Sequence, residues 1–85
     1  MPEELIKPSK DHWIVISAVL IVEREKAGFL SQDAFATACG WSQQFQSQIE
    51  DISKPIEHPG EHKIRITIAE KICEVLYGLN NKITG

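Results

Sequence analysis

The clearest periodicity in the chain lies near its C-terminal end. Ile68, Ala69, Ile72, Val75, Leu76 and Leu79 recur at the spacing of one apolar helix face. Gly78 is placed to end that helix. Upstream, Ser31 suits the N-cap of a helix whose inward stripe is Phe35, Ala36 and Cys39. Asp33 sits in its first turn, where the helix dipole favours an anion, and Gly40 stops it. Ser42 then caps a third helix running to about Asp51. Two short helices joined by a glycine turn form a helix-turn-helix unit. Nearer the N-terminus, residues 13–22 are apolar apart from Ser17. With Ser9 or Asp11 as cap and Gly28 as stop, a long first helix is predicted over residues 10–27. The β-branched content of that run (Ile14, Val15, Ile16, Val19, Ile21, Val22) suits a strand equally well. Length and the charged continuation Glu23, Arg24, Glu25 and Lys26 favour the helix. Pro55, Pro59 and Gly60 mark residues 52–62 as a loop. Lys63, Ile64, Arg65 and Ile66 alternate, as in a short strand or the lead-in to the last helix.

These elements predict an all-α fold, a compact helix-turn-helix domain of about four helices with a long first helix. It spans residues 9–79, between a flexible tail at 1–8 and a short C-terminal tail at 80–85. A single domain fits 85 residues, and so small a chain has a small core. The first half of helix 1 is apolar on more than one face, more than a small domain buries internally. It therefore points to a partner chain, and a homodimer through helix 1 is expected.

Charge complicates the picture. Nine Lys and Arg against twelve Asp and Glu give a net charge of −3, which excludes a polybasic tail protein and sits awkwardly with nucleic-acid binding. The sum is not evenly distributed, however. Between Ser31 and Ile49 the only charged side chain is Asp33. Two cysteines, Cys39 and Cys73, are too few for a disulfide scaffold and read as reduced core thiols of a cytoplasmic protein. No signal peptide is read in the N-terminal residues, and the apolar run of residues 13–22 is too short to span a membrane. His58, Glu61 and His62 match a zinc-peptidase pattern formally. Pro59 and Gly60 forbid the helix that this chemistry needs, so a surface loop is expected and no metal or other cofactor. No phosphate-cradling loop, nucleophile–base pair or small-molecule site is evident, and the chain reads as a non-enzyme.

The central stretch resembles the helix-turn-helix of lambdoid phage repressors and Cro proteins, the XRE-type family. The residues that carry the resemblance are Gln32 at the start of helix 2, Phe35 and Ala36, and Gly40 in the turn. Beyond the turn they are Ser42, Gln43, Gln44, Gln48, Ile49 and Glu50. Arg24, Gly28, Ile68, Ala69, Ile72 and Leu76 extend the similarity over about residues 20–76. Two departures stand out. The family usually has an aliphatic residue where Gln46 stands, so either helix 3 is slightly rotated or Phe45 is exposed and able to touch a thymine methyl. The family's fifth helix, often its dimer contact, has no counterpart after residue 79.

The resemblance implies a sequence-specific, DNA-binding transcriptional regulator, and residue chemistry is compatible with it. Gln43, Gln44, Ser47 and Gln48 fall on one side of helix 3, with Phe45, Ile49 and Ile52 toward the other. A helix fits the major groove, and Gln pairs bidentately with adenine. These four are the candidate base contacts. Gln32, Ser42, Lys54, Lys63 and Arg65 are the candidate phosphate contacts. Trp41 reads as a core anchor beside the turn. The expected partner is double-stranded operator DNA. The alternative is a helix-turn-helix used for protein contact, such as an antitoxin or antirepressor, which the acidic balance and apolar helix 1 favour.

Overall fold

Trp13 begins a strand, and this overturns the all-α expectation. The computed structural model describes residues 5–78. It comprises β1 (Ile6–Pro8), β2 (Trp13–Ile16), α1 (Ser17–Lys26), α2 (Gln32–Cys39), α3 (Gln43–Ile49), β3 (Glu61–Ile64) and α4 (Ile66–Tyr77). The three strands form one antiparallel sheet in the order β1-β2-β3. The fold is therefore mixed α/β, four helices and a sheet. The strand reading wins over residues 13–16 because β2 is paired on both sides. Ile6, Lys7 and Pro8 face Val15, Ile14 and Trp13, while Ile64, Lys63, His62 and Glu61 face Trp13, Ile14, Val15 and Ile16. β-Branched side chains suit such a pleated, half-buried surface.

The long first helix is thus corrected to ten residues beginning at Ser17, and neither Ser9 nor Asp11 caps it. What fixes its start is tertiary. The Ser17 amide donates to the Gly60 carbonyl at 2.8 Å, and its hydroxyl donates to the Ile49 carbonyl at 2.6 Å. The tail predicted for residues 1–8 is corrected over residues 5–8: Leu5 and Ile6 are buried in the core, and the strand continues to Pro8. The C-terminal tail at 80–85 and Leu79 lie outside the described residues. The loop predicted for residues 52–62 gives up Glu61 and His62 to β3, and the alternating residues 63–66 divide: Lys63 and Ile64 complete that strand, while Arg65 is the N-cap position of α4 and Ile66 begins it.

The two central helices form as their caps dictate. Ser31 Oγ accepts from the Ala34 amide and Ser42 Oγ from the Phe45 amide, both at 3.1 Å. Gly40 closes α2 in the left-handed region at φ 88°, a conformation glycine adopts without a Cβ penalty. The core lies between the sheet and the helices. Leu5, Ile6, Val15 and Ile64 from the sheet side meet Leu20 of α1, Phe35 and Cys39 of α2, Ile49 of α3, and Ala69, Ile72 and Cys73 of α4. Burying each large aliphatic or aromatic side chain contributes roughly 1.5–3 kcal/mol. Phe29 meets Phe35 edge to face, with centroids 5.3 Å apart. Among the described residues, no helix is long and apolar enough to cross a membrane.

Candidate nucleic-acid interface

Gln43, Gln44, Ser47 and Gln48 are all exposed on α3, while Ile49 is buried and Phe45 half-buried. Their spacing on a helix places Gln44, Ser47 and Gln48 side by side. The surface that α3 offers to solvent is therefore polar and uncharged. Ile52, grouped with the inward side by spacing, lies beyond the end of α3 and is exposed.

Beneath this surface lies a buried polar cluster centred on Glu50. Its Oε2 accepts from Arg24 Nε at 2.8 Å and from Gln46 Nε2 at 2.6 Å. Its Oε1 accepts from Gln32 Nε2 at 3.0 Å and from Arg24 Nη2 at 3.3 Å. The remaining arm of Arg24, Nη1, donates to the Phe29 carbonyl at 2.7 Å. One carboxylate thus holds the end of α1, the start of α2 and the last turn of α3. All four of its acceptor positions are used.

The charge at the centre sets the direction of every amide around it. A carboxylate only accepts, so Gln32 and Gln46 must each turn their NH2 group toward Glu50. Gln46 then points its oxygen at Trp41, whose indole Nε1–H only donates; that bond is 2.8 Å. Gln32 points its oxygen at the surface, where Gln43 Nε2 donates to it at 2.8 Å. Gln43 is left with one N–H and its carbonyl oxygen facing solvent. Its amide is oriented by this bond to Gln32.

The question raised by Gln46 is settled by this cluster. Gln46 is fully buried and hydrogen-bonded where an apolar residue was expected, and Phe45 packs half-buried against Trp41 with ring centroids 5.2 Å apart. Trp41 packs on the core, as its position beside the turn implied.

The phosphate candidates are dispersed. Gln32 is half-buried and joined to Gln43. Ser42 is exposed, with its oxygen engaged in the α3 cap. Lys54 lies in the loop after α3, Lys63 on β3, and Arg65 at the N-cap position of α4, all exposed. That loop is tied back by Ser53, whose amide and hydroxyl both donate to Asp51 Oδ1. These bonds hold the Asp51 carboxyl below its usual range. His62 Nε2 lies 2.9 Å from the Asp51 carbonyl. His62 is a strand residue and His58 a loop residue, so the two do not share a helix face.

Sequence reasoning missed the cluster as a unit, although Arg24 and Glu50 were both marked by the resemblance. One signal was present: Arg24 continues the Ser17–Leu20 stripe of α1 by four residues, which aims a cation inward. No protein-family model, curated protein or solved structure matches the chain.

Proposed function

We propose that the chain is a sequence-specific DNA-binding protein that reads the major groove with α3, a transcriptional regulator of the phage repressor or Cro type. The observation that carries this reading is the fixed presentation of Gln43. A glutamine held by Gln32 and offering one N–H and one carbonyl matches the N7 acceptor and N6 donor of adenine. Gln44, Ser47 and Gln48 extend the same uncharged surface along a helix that is second in a helix-turn-helix. Gln32, Ser42, Lys54, Lys63 and Arg65 remain the phosphate candidates. As a two-fold dimer the protein would place its reading helices about 34 Å apart on successive major grooves. The exposed Ala18 and Val22 of α1 are the proposed dimer contact.

The test begins with selection of bound sequences from random DNA, where a palindrome is expected. Gln44→Ala then weakens binding to the selected site about 5- to 150-fold, the equivalent of one bidentate contact of about 1–3 kcal/mol. Binding to random DNA changes little. Equal losses on both DNAs refute the base-reading role. A protein-contact function is favoured by one observation, the exposure of Leu30, Ile52 and Ile56. Absence of DNA binding at low salt would leave that reading standing.

A further inference from the structure

The cations of this chain are segregated. In the helices they are paired: Arg24 with Glu50, Lys26 with Glu23, and Lys71 with Glu74. Among the described residues, the cations without an ion pair are Lys10 between β1 and β2, Lys54 in the loop after α3, Lys63 on β3 and Arg65 just after it. Lys7 on β1 has only a loose contact with Glu61, at 3.9 Å between exposed groups. Among the described residues, the cations without an ion pair therefore lie outside the helices, most of them on or beside the sheet.

Register orders part of this charge. Lys7 faces Ile14 across one strand gap, and Ile14 faces Lys63 across the next. Directly opposed residues share a face, so Lys7, Ile14 and Lys63 form one row. It is the face opposite to the one carrying buried Ile6, Val15 and Ile64. Two strand spacings set the lysine Cα atoms about 10 Å apart, with Ile14 between them for their aliphatic stems to cover. Asp11 and Glu61 are the acids nearby in sequence and register. The sheet is also fastened to the end of the proposed reading helix. Ser17, which follows β2, bonds the Ile49 carbonyl, and His62 of β3 bonds the Asp51 carbonyl.

We infer that the outer face of the sheet, through Lys7 and Lys63, is a second DNA contact that grips the sugar-phosphate backbone beside the groove occupied by α3. This inference rests on the DNA-binding reading. It adds an N-terminal hairpin that no helix-turn-helix argument includes. The occupant is a polyanion because Lys63, which has no ion pair among the described residues, lies in one row with Lys7, whose only pairing there is the loose contact with Glu61. It is the backbone of a duplex because the sheet that carries these lysines is bonded, through Ser17 and His62, to the end of the helix offered to bases.

The experiment is a salt titration of binding to the selected site and to random DNA, for the wild type, Lys7→Gln, Lys63→Gln and the double variant. Each lysine that neutralises one phosphate contributes about 0.9 to the slope of log Kobs against log salt. Each single variant is therefore expected to flatten the slope by about 0.9 and the double variant by about 1.8, equally on both DNAs. Lys26→Gln and Lys71→Gln leave it unchanged, and Lys63→Arg retains the wild-type slope. An unchanged slope in the double variant, with Gln44→Ala still lowering specificity, overturns the sheet contact and spares the reading helix. A loss confined to the selected site also overturns it, because backbone contacts carry no sequence information. If the wild type binds no DNA, both readings fall together.

Discussion

Replacing Glu50 by Gln keeps the shape of the side chain and removes its charge. Either orientation of the new amide sets an NH2 group against two donors, Arg24 Nη2 and Gln32 Nε2 on one side or Arg24 Nε and Gln46 Nε2 on the other. Arg24 then stays buried without its counter-ion. Removing one partner of a buried ion pair costs about 3–5 kcal/mol. A domain of this length has a total stability of roughly 4–13 kcal/mol, so the loss is a large part of the whole. At about 4–8 °C per kcal/mol the midpoint of thermal unfolding falls by roughly 12–40 °C. Urea unfolding followed by circular dichroism measures the free energy directly, with an unchanged slope showing that the unfolded reference is the same. A destabilisation below about 1 kcal/mol would place the pair among surface ion pairs and refute the view that Glu50 organises the helices.

Two further outcomes follow from single contacts and from titration. Ser17→Ala strands the buried Ile49 carbonyl and is expected to cost about 1–3 kcal/mol, read as a lower urea midpoint; a change within experimental error would show that this bond is dispensable. Alkaline pH is expected to weaken the fold. Burial pushes the Cys39 thiol from 9.0 up to about 12, raises the Cys73 thiol and, with the hydrogen bond to Glu23, raises the Tyr77 hydroxyl. These groups keep their protons in the native state while the unfolded chain loses them, so stability is fully present below about pH 9 and falls as pH rises above it. Tyr77→Phe removes its share of that decline. A urea midpoint constant from about pH 8 to about pH 10.5 would contradict the assignment.

What the sequence discloses here depends on range. α2, its glycine turn, α3 and α4 are written in caps and stripes a few residues long: Ser31, Gly40, Ser42 and the Ile68–Leu76 periodicity. Local physics decides them. Residues 13–16 are different, because four β-branched or aromatic positions fit a strand or a buried helix start alike. The decision comes from Ile6–Pro8 on one side and Glu61–Ile64 on the other, one partner disguised as a polar tail and the other distant in sequence. The exposed glutamines of α3 were legible from spacing. Gln46 was not, since its burial depends on Glu50 and Trp41 together. A polar residue with a partner inside the core looks, in sequence, like one facing water.

The pairing of Ile16 with Glu61 has a topological consequence. Residues 17–60, which hold α1, α2, the glycine turn and α3, form a closed loop whose two ends meet in the sheet. Closing a loop of that length costs about 3 kcal/mol of chain entropy by the logarithmic scaling with length, whatever its sequence. The bonds at the junction, β2 to β3 and Ser17 to Gly60, act as its clasp. A substitution in the sheet, far from α3 in the chain, therefore acts on the cohesion of the whole helical segment. The strands set how tightly the helices are gathered.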